Sequence, residues 1–428
     1  MIYIYAHTVT TRLDYTLKVI FNHILQVDFL IVDEDTFNNA NSKHPKLNYS
    51  EEKLPDAIWI KPDSLLYEDT IKKQDIAVSF KENIPYFYKT SEESDFPFDI
   101  IASSFFMLSR YEEYLPFNKD LHGRFPAKES LAYKANFIDL PVVHLWAIKL
   151  RDALLKQKPN FLFPTRIFTQ LNTIDIDIAY AYKGKPFIRN FGAFFKSLFT
   201  FNFKDLHNRI SVFLGKKDPY DTYDIIESIQ KESTTDSIYF FQVGKYGVYD
   251  KNLRLKKMRN LIKRISKHAT IGIHPSYQSN ESINSLKEEK ENLSNILGKP
   301  ITKSRQHYLK MTIPNTYENL ISIGVKEDYT MGFAQQVGFR AGMALPFPFF
   351  NLQLNKERSL LLIPFQIMDD TLKDYMQLSP VEAKEKIHSI KQIIKDVNGQ
   401  LITIFHNSFL TNQGDLKGWV SVYKSIFK

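Results

Sequence analysis

Residues 171–180 read LNTIDIDIAY and set two acids, Asp175 and Asp177, two positions apart among isoleucines. In an extended chain alternate residues share a face, so both carboxylates project together, away from Ile174, Ile176 and Ile178. Like charges that close repel, and burying either without a partner is costly. A bound cation relieves both problems. Further donors fall at the ends of other apolar runs. His274 closes ATIGIH, His307 closes ITKSRQH, Asp328 closes IGVKED, Asp369 follows LLLIPFQIM and His406 ends LITIFH. Of the 11 histidines, three occupy such ends, and the others, including His23, His207 and His388, fall in helical or loop stretches. Taken singly, an acid or histidine at a strand end is as often a hydrogen-bonding group as a ligand. Together, Asp and His donors suit zinc and its neighbours. Metal-assisted hydrolysis also needs a base for water and an acid for the leaving group, and this set could supply both.

For these residues to meet, their runs must be parallel strands that end at one mouth, the usual place for α/β active sites. The pattern from residue 159 onward fits. FTQLNTIDID, SIYFFQVG, ATIGIH, ITKSRQH, IGVKED, LLLIPFQIM and LITIFHN read as strands, separated mostly by helical stretches such as YDTYDIIESIQKE and SPVEAKEKIHSIKQIIKDV. Alternating βα units predict a parallel sheet, open or closed into a barrel of somewhat fewer than eight units. Before KQKPNFLFP (156–164), a smaller α/β part alternates strands (IYIYA, DFLIVDE, DAIWIKP) with periodic helices. The expected division is therefore an N-terminal α/β domain, 1–158, and a barrel domain, 159–428. The polar, proline-punctuated stretch 116–141 reads as a long surface loop. The aromatic stretch 189–215 reads as apolar packing over the barrel, with a lid or groove wall as the alternative.

Composition narrows the function classes. The chain has 428 residues and no cysteine, which excludes disulfides, thiolate metal sites and a cysteine nucleophile and points to a reducing compartment. No signal peptide or run of roughly 20 apolar residues is evident, so a cytoplasmic location without a membrane span is expected. The formal charge of +8 raises a nucleic-acid reading. Its densest source, RLKKMRNLIKRISKH (254–268), has Leu255, Met258, Leu261, Ile262 and Ile265 at helical spacing. That makes the cations the wet face of a packed helix, and no nucleic-acid-binding signature accompanies it. Oligomeric state is not readable.

TIDID, GIHPSYQS, DYTMGF and GFRAG resemble segments of the polysaccharide deacetylase family (carbohydrate esterase family 4, NodB-like), and FMLSRYEEYLPFNKDLHGRFPAKESLAYKANFIDLPVV resembles the uncharacterised N-terminal domain of its two-domain Bacteroidetes type. The resemblance implies a distorted barrel of about seven βα units and a divalent metal, zinc above all. It implies Asp175 as base and Asp177 and His274 as ligands. In His274-Pro275-Ser276-Tyr277-Gln278, Gln278 stands where the family has a second histidine. In Arg305-Gln306-His307-Tyr308, His307 replaces a proline, and either restores the ligand count or turns towards the sheet. Arg305 is expected to orient Asp175, the Tyr308 amide to bind an oxyanion, and His406 to act as general acid. Asp328 is expected to hold His406 or Arg305, while Asp369 has no assigned counterpart. Gly338 and Gly342 of GFRAG read as turn formers, with Arg340 in a structural ion pair or at the substrate. The function implied is hydrolytic removal of acetyl groups from an acetylated, N-acetylated for preference, saccharide. The alternative is a non-catalytic carbohydrate-binding descendant, motivated by Gln278.

Overall fold

The computed structural model describes residues 1–184, 203–233 and 235–428. The aromatic stretch thus lies outside the described residues over 189–202; its end, Phe203–Phe213, is helical.

The chain opens with a parallel sheet in the order β2-β1-β3-β4. These strands are β1 (Ile2–Ala6), β2 (Phe29–Val32), β3 (Lys46–Tyr49) and β4 (Ile58–Trp59). Alternation in IYIYA buries Ile2 and Ile4 completely. A short antiparallel pair follows, β5 (Ser79–Lys81) with β6 (Ile84–Tyr86). The helix Ile100–Leu108 is capped by Asp99, whose carboxylate accepts from the Ile101 and Ala102 amides. It packs against the helix Val142–Gln157.

The second sheet carries the strands predicted from residue 159 onward. It consists of β7 (Thr169–Ile176), β8 (Asp236–Gln242), β9 (Thr270–His274), β10 (Lys303–Ser304), β11 (Glu327–Asp328), β12 (Phe347–Asn351), β13 (Lys356–Leu362), β14 (Ile367–Met368) and β15 (Gln400–His406). The order is β12-β13-β11-β10-β9-β8-β7-β15-β14, parallel except where β12 pairs antiparallel with β13. The predicted run LLLIPFQIM is divided. Pro364 has no N–H to give a ladder, and around it the chain changes neighbour: Ile363 N–H donates to Asp328 O at 2.8 Å, and Gln366 N–H to Ile402 O at 3.1 Å. One continuous segment therefore pairs with β11 at its start and β15 at its end, curling the sheet round on itself. Strand β12 is absent from the sequence reading.

The 254–268 stretch forms the helix Leu255–Ile265, burying Met258, Leu261, Ile262 and Ile265. Residues 116–141 are not the predicted surface loop. Arg124, Phe125, Ala127, Ser130 and Phe137 are buried, with helical turns at Ala127–Glu129 and Leu131–Lys134. The backbone is satisfied internally, since Asp120 Oδ1 accepts from the His122 and Arg124 amides, both at 2.9 Å.

The two stretches of chain share a core. One apolar cluster runs from Ile2, Phe105 and Trp146 through Tyr317, Phe347 and Leu360. GFRAG is the joint: Phe339 N–H donates to Ile138 O at 2.9 Å, and Val143 N–H to Gly342 O at 3.1 Å. A Cβ on Gly338 (φ +141°) would stand 2.4 Å from Ile138 O, so only glycine permits that approach. Among the described residues no helix is long and apolar enough to cross a membrane.

Candidate metal centre at the strand ends

Parallel register delivers the donors together. Asp175 is paired with Phe240 of β8 and His406 of β15, while His274 at the end of β9 is paired with Gln242. Asp177 follows β7 by one residue, so its side chain leaves on the Asp175 face.

Three imidazoles surround the Asp177 carboxylate. His274 Nε2 lies 3.1 Å from Oδ1, His307 Nε2 3.4 Å from Oδ2, and His406 Nε2 3.6 Å from Oδ2. Each ring is tethered through its other nitrogen. His274 Nδ1 is 2.6 Å from Arg305 O, His307 Nδ1 2.8 Å from Asp250 Oδ1, and His406 Nδ1 2.8 Å from Asp369 Oδ1. Such tethers fix ring orientation and leave Nε2 free to ligate or carry a proton. Asp175 is held differently, by Arg305 Nη1 at 2.8 Å from Oδ1, with the guanidinium also donating to Thr173 Oγ1 and Tyr329 O.

The donor set fits a divalent ion. The ligand atoms of Asp177, His274 and His307 lie within 4.8 Å of one another, and Asp177 Oδ1 is buried without a hydrogen bond although His274 Nε2 is so near. Two nitrogens and a carboxylate are a zinc-type set that leaves room for water and substrate. Asp369, Asp370 and His406 form a second such group. There the short His406–Asp369 hydrogen bond already accounts for the approach, and Asp369 Oδ2 also accepts from the His406 amide at 2.7 Å.

Electrostatics point the same way. Burial opposes charge on Asp177, yet His307 and His406 hold its carboxyl well below the usual range. Burial also works against a proton on His307, but Asp177 and Asp250 push its imidazole up to about 9. His406 is likewise raised, against burial, by Asp369, Asp177 and Asp370. The pocket is thus built to collect positive charge, as protons on imidazole or as a cation among them.

The remaining expected residues divide. Arg305 and Tyr308 are at the site, Tyr308 in the left-handed region (φ +59°), as is Leu309 (φ +52°). Asp369 joins the site as the partner of His406. Asp328 does not hold His406 or Arg305 by a hydrogen bond; it is buried in β11 and accepts from Ser304 Oγ at 2.6 Å and the Thr330 amide at 2.9 Å. Gln278 is exposed and lines a different cavity of about 810 Å³ with Ser276, Lys245 and Glu289. That cavity is much larger than the one at the metal centre, about 160 Å³. Size does not locate the chemistry here, because the larger space holds none of the converging histidines. Arg340 does not line the cavity of the metal centre and makes the structural ion pair. It is buried, with Nε and Nη2 on Glu113 at 2.9 and 2.6 Å, and Glu113 also takes Arg110 Nε at 2.7 Å.

Sequence reading missed Asp250, Asp370, Tyr375 and Arg124. Asp250 lies between β8 and the next helix in an aperiodic stretch, KYGVYDKN, that carries no signal. Asp370, pushed up to about 7 chiefly by burial, lines the cavity beside Asp369. Arg124 reaches the same cavity from the stretch read as a surface loop.

No curated protein matches the chain. Residues 2–159 match a family of unknown function, DUF7033. Among solved structures, the chain is similar to one designated a polysaccharide deacetylase from Mycobacterium smegmatis, at 13% identity over 61% of this chain and 85% of that one, with a TM-score of 0.40. A polysaccharide deacetylase from Bacillus cereus is 13% identical over 61% and 86% of the two chains, with a TM-score of 0.29. One so designated from Pseudomonas aeruginosa is 10% identical over 64% and 89%, with a TM-score of 0.37.

Proposed function

We propose that the chain is a metal-dependent hydrolase that removes acetyl groups from an acetylated saccharide, N-acetylated for preference, on a NodB-like barrel formed by residues 159–428. One observation carries the reading: His274 and His406 at strand ends and His307 in the turn three residues past β10, each tethered through Nδ1, present Nε2 to one carboxylate, with a second carboxylate held beside them by Arg305.

In this reading Asp177, His274 and His307 hold the ion. When bound, a divalent metal would polarise the acyl oxygen and acidify water. Asp175, fixed by Arg305, takes the proton from the attacking water. The Tyr308 amide donates to the oxygen as it gains negative charge. The C–N bond then breaks, His406 protonates the departing nitrogen from Nε2, and acetate is the second product. Asp369 fixes the His406 ring and favours its protonated form. The cavity of about 160 Å³ suits an acetyl group and water, with the sugar lying outside it.

Gln278, which motivates the binding-only alternative, lines another cavity, and His307 stands among the donors, which favours the hydrolase reading. Elemental analysis of the purified protein, followed by acetate release from acetylated oligosaccharides, tests the proposal. About one zinc or similar ion per chain with acetate release supports it. Absence of both, after incubation with each candidate metal, would reject it.

A further inference from the structure

Arg124 belongs to the part of the chain that precedes the barrel, yet it lines the cavity that holds Asp175, Asp177 and the three histidines. It is only 6% exposed, and its fork is fully directed. Nε donates to Asp120 Oδ2 at 2.7 Å, Nη1 to Tyr308 O at 2.6 Å, and Nη2 to the Tyr375 hydroxyl at 3.3 Å. Asp120 is itself pinned from the barrel side, accepting from Gln335 Nε2 at 2.8 Å. Two residues earlier, His122 packs on Tyr308 with ring centroids 4.8 Å apart.

The residue Arg124 grips is the one whose backbone is strained. Tyr308 and Leu309 are consecutive non-glycine residues with φ of +59° and +52°. Such conformations cost about 1–3 kcal/mol each and persist only where the surroundings over-determine them. The Tyr308 carbonyl belongs to the peptide that joins these two left-handed residues, and a buried guanidinium holds it. Tyr308 lines the cavity, so relaxation of that turn would shift the preceding peptide, which carries the Tyr308 amide.

We infer that Arg124 is a positioning residue for the reaction at the barrel mouth: it locks the Tyr308 turn so that the Tyr308 amide faces the acyl oxygen. The amino-terminal part thereby completes the active site. The inference rests on the deacetylase reading for the identity of that oxygen, but the grip itself is independent of it.

The experiment compares full-length, zinc-loaded wild type with Arg124→Ala, Arg124→Gln and Arg124→Lys. Hydrogen–deuterium exchange over residues 305–311 is read beside steady-state kinetics. Expected for Arg124→Ala and Arg124→Gln is faster exchange confined to that segment, with zinc content unchanged. The kcat should fall by about 10- to 100-fold, short of the roughly 10²- to 10³-fold of a removed oxyanion donor, while KM moves by less than about threefold. Lysine can reach Tyr308 O but cannot span three partners, so Arg124→Lys should lie between. Added guanidinium ion should partly restore Arg124→Ala. Unchanged exchange at 305–311 would overturn the inference, as would a raised KM with kcat intact. Should Arg124→Ala fail to fold, the Gln and Lys variants carry the comparison. If wild type releases no acetate from any substrate, the deacetylase reading falls alone, and the exchange comparison still upholds or overturns the grip on Tyr308.

Discussion

At the residue scale, the two acids of TIDID have separable duties. Asp177 faces three imidazole nitrogens, whereas Asp175 faces Arg305. Asp177→Asn should therefore lose metal, and Asp175→Asn should keep it while kcat falls by about 10²-fold or more. Equal metal content in Asp177→Asn and wild type would sink the assignment. Asp369 supplies a second test. It accepts from both the ring and the amide of His406, and Asp369→Asn would leave the ring in place with the wrong proton inventory. A fall in kcat of about 10²- to 10⁴-fold with metal retained is expected. Much of this centre was legible, because strand-end position and residue type together single out Asp175, Asp177, His274, His307 and His406. The tethers were not. Asp250 and Arg124 lie in irregular backbone, where no periodicity tells which way a side chain points, and Gln278 could not be placed because its segment leaves the sheet in a turn.

At the element scale, hydrophobic period identified the strands and the 255–265 helix, because both periods report one buried face. It failed at β12, where two prolines and aromatics in PFPFF hide the alternation, and at 116–141, where the core is filled by an irregular segment. The helix Val142–Gln157 carries a consequence for pH. His144 is fully buried on it, and burial drives its imidazole down to about 3 from 6.5. Below pH 6.5 the unfolded chain binds a proton that the folded chain refuses. Stability is therefore complete above that value and is lost as pH falls through 6.5 towards 3, at about 1.4 kcal/mol per pH unit. His144→Gln should flatten that slope. Urea midpoints measured at pH 7 and pH 5 check it: wild type should lose more between the two than the variant, and equal losses would count against it.

At the scale of the whole molecule, the division at 158/159 marks a change in sequence pattern without a break in packing. The shared apolar cluster crosses it, the Gly338 contact needs both sides, and a buried ion triad spans it. In that triad Glu113 sits between Arg110 and Arg340, all nearly inaccessible, and Arg110 also donates to the Arg340 carbonyl. Arg110 also pairs with Glu112 at 2.7 Å, whereas Arg340 has Glu113 as its carboxylate partner, so removing Glu113 strands the Arg340 charge and leaves Arg110 with one carboxylate. Breaking a buried pair this way costs about 3–5 kcal/mol. Glu113→Ala should lower stability by that order, and the loss should be global. Trp59 and Trp146 report one side and Trp419 the other. With Trp419→Phe and the double Trp59→Phe, Trp146→Phe variant as reporters, urea transitions should coincide in the parent background and shift together when Glu113→Ala is added. Two separated transitions, with only the amino-terminal one displaced, would mean that the parts fold independently. The segment that follows Glu113 carries Arg124 to the cavity lined by Asp175, Asp177 and the three histidines.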